Sequence, residues 1–99
     1  MKLLPQPIRF EWDAGNQNKN WAKHNKVGNE ECEEVFFDPH KRIASDALHS
    51  GSEPRYLLLG TTRFGRPLFI VFTVRGNKVR VISARDLNKK EEKLLWKKS

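Results

Sequence analysis

The sequence predicts an α+β domain, an antiparallel sheet with helices packed on it. Two observations carry this. The second half holds three β-type runs, residues 55–62, 67–74 and 79–85, separated only by Arg63-Phe64-Gly65-Arg66 and Gly76-Asn77. Connections that short join antiparallel neighbours, because a parallel crossover needs a dozen residues or more. Helix signals flank these runs: an acidic stretch after Gly28-Asn29, and an Asn88-Lys89-Lys90-Glu91 start ahead of Leu94, Leu95 and Trp96.

At the N-terminus, Ile8-Arg9-Phe10-Glu11-Trp12 alternates apolar and polar residues as a half-buried strand does, and Asp13 is a good N-cap for the segment after it. Residues 16–25 predict a short first helix with Trp21 and Ala22 toward a core and Lys19, Lys23 and His24 on its flanks. Asn16, Asn18, Asn20 and Asn25 give it poor intrinsic propensity, so tertiary contacts must hold it. A second helix is expected over residues 30–37, capped by Asn29. Glu30, Glu31, Glu33 and Glu34 lie mostly in its first turn, which suits the helix dipole, and Cys32, Val35 and Phe36 form its inward stripe. Asp38-Pro39-His40 stops it. Residues 41–48 hold a short edge strand, followed by the loop His49-Ser50-Gly51-Ser52-Glu53-Pro54. The almost unbroken apolar run at 67–74 predicts a central strand buried on both faces. The apolar end of the C-terminal helix is expected to pack back on the sheet.

A chain of 99 residues, 37% hydrophobic, supports one core and hence a single domain over residues 1–99. No stretch approaches the roughly 18 apolar residues of a membrane span, and Met1-Lys2-Leu3-Leu4-Pro5 lacks the apolar run of a signal peptide. Cytoplasmic residence is the expectation. A lone cysteine, Cys32, excludes an internal disulfide and reads as a small buried apolar residue; with His40 and His49 it matches no compact ligand spacing, so no metal or other cofactor is expected. The net charge of +7 is uneven. Residues 1–54 carry 7 basic against 9 acidic side chains and residues 55–99 carry 12 against 3. Such asymmetry concentrates polyanions near the second half, with an acidic protein as the alternative partner.

The chemistry centres on Val79-Arg80-Val81-Ile82-Ser83-Ala84-Arg85, a strand with one arginine within it and one at its exit, and on Arg75 just before the preceding turn. Arginine offers a planar fork suited to phosphate and stays charged at any working pH. Cleaving RNA without a metal needs a base for the 2′-hydroxyl proton, cations for the crowded phosphorane and an acid for the leaving 5′-oxygen. Arg75, Arg80 and Arg85 are candidates to hold the phosphate. Lys23 and His24 place a charge beside a group that titrates near neutrality, and Glu91 can serve as a base or orient an arginine. Glu91 also has a sufficient structural role in a capping box, and His24 one at a helix C-terminus. Phe64, between Arg63 and Arg66, is the candidate for base stacking, with Lys78 and Lys89 adding charge; Trp12, Trp21 and Trp96 read as core. Composition and spacing alone do not name a ribonuclease. A non-catalytic RNA- or ribosome-binding module and a basic domain docking an acidic partner stay open on these grounds.

Phe10-Glu11-Trp12-Asp13, Lys23-His24, Val35-Phe36-Phe37-Asp38, Gly65-Arg66-Pro67-Leu68 leading into Val71-Phe72-Thr73-Val74-Arg75, and Arg80-Val81-Ile82-Ser83-Ala84-Arg85 with Glu91 closely resemble the BrnT family of bacterial toxins. The match runs in order over nearly the whole chain. The resemblance implies a RelE-like fold and metal-independent ribonuclease activity that arrests translation. It also implies a BrnA-like ribbon-helix-helix antitoxin that covers the toxin and, with it, represses their operon, so operator DNA is reached only through the antitoxin. The family's basic and polar positions fall on Lys23, His24, Arg75, Arg80 and Arg85, with Glu91 at the expected distance. The chain departs from the pattern in having Asn16 where a lysine is common, Asn25 inserted after Lys-His, and Leu95, followed by Trp96, where the family often shows a late tyrosine.

Overall fold

The computed structural model describes residues 4–16, 27–46, 51 and 53–96, the last three by their backbone alone. The order is α1 (Asn29–Val35), β1 (Arg42–Ser45), β2 (Tyr56–Thr61), β3 (Pro67–Arg75), β4 (Lys78–Asp86) and α2 (Lys89–Trp96). The strands form one antiparallel meander, β1-β2-β3-β4, so the two short turns behave as their lengths require. The expected first helix and Lys19, Trp21, Ala22, Lys23, His24 and Asn25 lie outside the described residues, as does His49.

One sheet face is covered by α1. Cys32, Val35 and Phe36 meet Leu58, Leu68, Ile70, Phe72, Val79, Val81 and Ala84, with Val27 alongside, in a single buried cluster. Phe36 packs edge-on against Phe72 at 5.0 Å between ring centroids and against Phe10 at 5.2 Å. Gly60 makes the approach possible: a Cβ there would stand 2.7 Å from Val35 Cγ1. Asp38, just past α1, accepts hydrogen bonds from Thr61 N at 2.8 Å and Thr61 Oγ1 at 3.0 Å, tying the helix end to β2. Cys32 is fully buried in this layer, and burial pushes its thiol up to about 12.

Several expectations need correction. The second helix starts one residue earlier and ends two earlier than the pattern suggested, and its cap is Gly28, whose N–H donates to Glu31 Oε1 at 3.2 Å; Asn29 is already helical. β3 is central but not doubly buried. Leu68, Ile70 and Phe72 are in the core, whereas Phe69 and Val71 alternate onto a half-covered face.

The strand expected at residues 8–12 is reduced to one parallel bridge, Phe10 to Val79, made by Val79 N to Arg9 O (2.7 Å) and Glu11 N to Val79 O (2.8 Å). Asn16 explains where it stops. Its amide Nδ2 donates to both Glu11 O (2.9 Å) and Val81 O (3.1 Å), and its Oδ1 accepts from Asp13 N (2.8 Å). The buried side chain thus occupies the place where a parallel ladder would next run between Glu11, Asp13 and Val81. Asn16 itself is buried in a turn, 3% exposed.

Candidate functional site

Strict alternation would put Arg80 and Arg85, five residues apart, on opposite faces of β4. They share one face because the register slips between Val71 and Phe72: Phe72 pairs with Val81 and Val71 with Ser83, leaving Ile82 as a bulge. The open face, away from α1, accordingly carries Phe69, Val71, Thr73 and Arg75 on β3 opposite Arg85, Ser83, Arg80 and Lys78 on β4. The same slip keeps Val79, Val81 and Ala84 in the core.

The three arginines of the hairpin do not converge. Arg75 and Arg80 stand at one end of the face, and Arg85 lies five strand residues further on, about 15 Å at the usual rise. At the first end, Arg80 Nη1 donates to Asp13 Oδ2 (2.8 Å) and Glu11 Oε1 (3.1 Å), and Nη2 to Asp13 Oδ1 (3.0 Å); its side chain is 14% exposed. A Cβ on Gly15 would stand 3.0 Å from Arg80 Nη2, so the turn beneath the guanidinium is made of a residue without one. Arg75 is 50% exposed and donates from Nε (2.6 Å) and Nη2 (3.2 Å) to Glu53, with Glu11 Oε1 at 3.8 Å. These arginines, with Gly15, Asn16, Glu53, Arg55, Val81 and Ile82, line an open cavity of about 190 Å³. Ligand pockets usually run to about 300–1,000 Å³, so this one matches a phosphate with part of a nucleotide better than a whole small molecule. The hydrogen bond from Arg80 holds the Asp13 carboxyl below its ordinary range, and that from Arg75 does the same for Glu53.

At the second end Arg85 donates to Glu91 through both Nη atoms, at 2.7 and 2.8 Å, and its guanidinium lies 4.2 Å from the centre of the Phe69 ring. Glu91 also accepts from Asn88 N (3.0 Å), while Asn88 Oδ1 accepts from Glu91 N (2.9 Å). The capping box and the arginine contact coexist on one side chain, and Arg85 is the main cause of the lowered Glu91 pKa. Arg66 is engaged structurally, with Nε on Asp86 Oδ1 (2.7 Å) and Nη1 on Glu31 Oε1 (3.0 Å), joining the start of β3 to α1 and the end of β4. Phe64 is 87% exposed at the β2–β3 turn, with the Arg63 guanidinium 5.4 Å from its ring centre. Lys78 and Lys89 are exposed at the β3–β4 turn and in the first turn of α2. Trp12 is half-buried against the core and donates to Glu33 Oε2 at 2.7 Å.

Sequence reasoning missed Glu11, Asp13, Glu53 and Arg55 as members of the Arg75–Arg80 site. The one signal was compositional, an acidic first half facing a basic second half. Among the described residues no helix is long and apolar enough to cross a membrane.

Residues 12–91 match the model of a family described as ribonuclease toxin, BrnT, of type II toxin-antitoxin system. No curated protein matches the chain. The matched span takes in the Asp13 turn, α1, the whole meander and Glu91, and so both arginine clusters. The chain belongs to the BrnT family of ribonuclease toxins.

Proposed function

We propose that the protein is the toxin of a type II toxin-antitoxin pair, a metal-independent endoribonuclease of RelE-like fold that arrests translation in the bacterial cytoplasm. The observation that carries this reading is the placement of Arg75 and Arg80 on one polar cavity of phosphate size. Cleavage proceeds by attack of the 2′-hydroxyl on the adjacent phosphorus, with departure of the 5′-oxygen and formation of a 2′,3′-cyclic phosphate. Arg75 and Arg80 bind the scissile phosphate and stabilise the phosphorane as its charge builds. Lys23 and His24, the positions the family resemblance implies, assist proton transfer or neutralise charge. Arg85, held by Glu91 about 15 Å along the face, grips a neighbouring phosphate, and the exposed Phe64 with Arg63 is a candidate for base stacking. The antitoxin is a BrnA-like ribbon-helix-helix protein that competes with RNA for this face and brings the pair to operator DNA.

The test is incubation of the purified protein with end-labelled single-stranded RNA in EDTA, beside the same RNA carrying a 2′-deoxyribose at the cut position. The expected result is fragments ending in 2′,3′-cyclic phosphate from the first RNA and none at the substituted position of the second. Intact RNA under conditions where it binds would instead identify a non-catalytic binding module.

A further inference from the structure

The carboxylates that close the arginine forks are not equivalent. Asp13 meets Arg80 beneath a tight turn in which Asp13 Oδ1 also accepts from Gly15 N at 2.8 Å, and Glu91 is anchored by the capping box of α2. Glu53 lies on the approach to β2, outside any strand or helix, and its carboxylate and the Arg75 guanidinium are both substantially exposed. It lines the Arg75–Arg80 cavity and uses both its oxygens on Nε and Nη2 of Arg75. That is the side of the guanidinium a phosphate would also engage bidentately. An exposed ion pair of this kind is weak in water, whereas a phosphate brings more acceptor oxygens and can reach Arg75 and Arg80 together.

Resting on the ribonuclease reading, we propose that Glu53 is a displaceable internal anion: it occupies the Arg75 fork in the free protein and leaves when the phosphodiester backbone of a polynucleotide enters the cavity. Glu53 thereby sets the affinity of the site for phosphate. Removing its charge frees the fork, and the gain is limited to several-fold, because an exposed ion pair contributes little in water.

The experiment titrates inorganic phosphate and, separately, a single-stranded 2′-deoxy oligonucleotide into the wild type, Glu53→Gln, Arg75→Gln and the double variant. Binding is read by calorimetry and by the arginine Nε–H resonances. The expected result is several-fold tighter binding of both ligands by Glu53→Gln, with no gain from the same substitution once Arg75 is glutamine. Unchanged or weaker binding by Glu53→Gln would overturn the proposal. So would a gain that persists without Arg75, which would mark a through-space charge effect, or a gain confined to inorganic phosphate, which would mark a site for the free ion. None of these readouts involves cleavage, so RNA that stays intact would sink the ribonuclease reading and leave the Glu53 result standing.

Discussion

Asn16 shows how much one side chain can decide. Its amide makes three hydrogen bonds in a nearly dry position, fastening the N-terminal segment to β4 and ending the ladder after a single bridge. Asn16→Ala leaves Glu11 O, Val81 O and Asp13 N without that partner, and an unsatisfied buried group costs about 1–3 kcal/mol. Denaturant unfolding should show a loss of about 2 kcal/mol, against less than about 0.5 kcal/mol expected for an exposed turn residue. This role was not legible in the sequence. An asparagine after an alternating segment reads as the start of a helix, and its partner Val81 is 65 residues away. Glu91 was legible, because a capping box is written within four consecutive residues.

At the scale of elements, β3 and β4 combine the readable with the hidden. The meander follows from β-type runs joined by two turns that contain Gly65 and Gly76, both at positive φ, a conformation that Gly adopts without strain. The bulge at Ile82 does not follow from any residue type there, yet it decides that Arg80 and Arg85 share a face while Val79, Val81 and Ala84 share the other. Helix α1 depends on a comparable local detail at Gly60. Gly60→Ala places a methyl group 2.7 Å from Val35 Cγ1, so α1 must shift from the sheet or Val35 must leave its rotamer. Overpacking of this kind costs about 1–3 kcal/mol, and thermal unfolding of Gly60→Ala should register it. Shortening the opposing side chain with Val35→Ala should recover part of the loss.

Across the whole molecule, the uneven charge of the sequence is answered in part within the fold. Glu11, Asp13, Glu31 and Glu53 from the acidic half bond to Arg66, Arg75 and Arg80 from the basic half, over separations of 22 to 69 residues. Composition showed the asymmetry but could not show that the arginines most suited to phosphate already hold carboxylates. The folded-state pKa values of Asp13, Glu53 and Glu91 are depressed by Arg80, Arg75 and Arg85 respectively. Groups depressed on folding add stability that is present above their unfolded pKa and is lost as pH falls through the folded value. Melting temperature should therefore fall below about pH 4. Glu91→Gln should melt lower than the wild type at neutral pH, and the gap should narrow in acid; a gap independent of pH would mean that the Arg85 contact adds nothing.

We propose that the chemistry belongs to the Arg75–Arg80 end of the open face. The most direct test is the single-turnover cleavage rate, in EDTA and at saturating RNA, of Arg75→Ala, Arg80→Lys and Arg85→Ala variants whose folding is verified by melting. Lysine at 80 keeps the charge beside Glu11 and Asp13, so a lost rate there reports the lost fork. Arg75→Ala and Arg80→Lys should each lower the rate at least about 100-fold, the cost of removing one phosphorane-stabilising group. Arg85→Ala should chiefly raise the RNA concentration needed for saturation. Wild-type rates from folded Arg75→Ala and Arg80→Lys would contradict the claim.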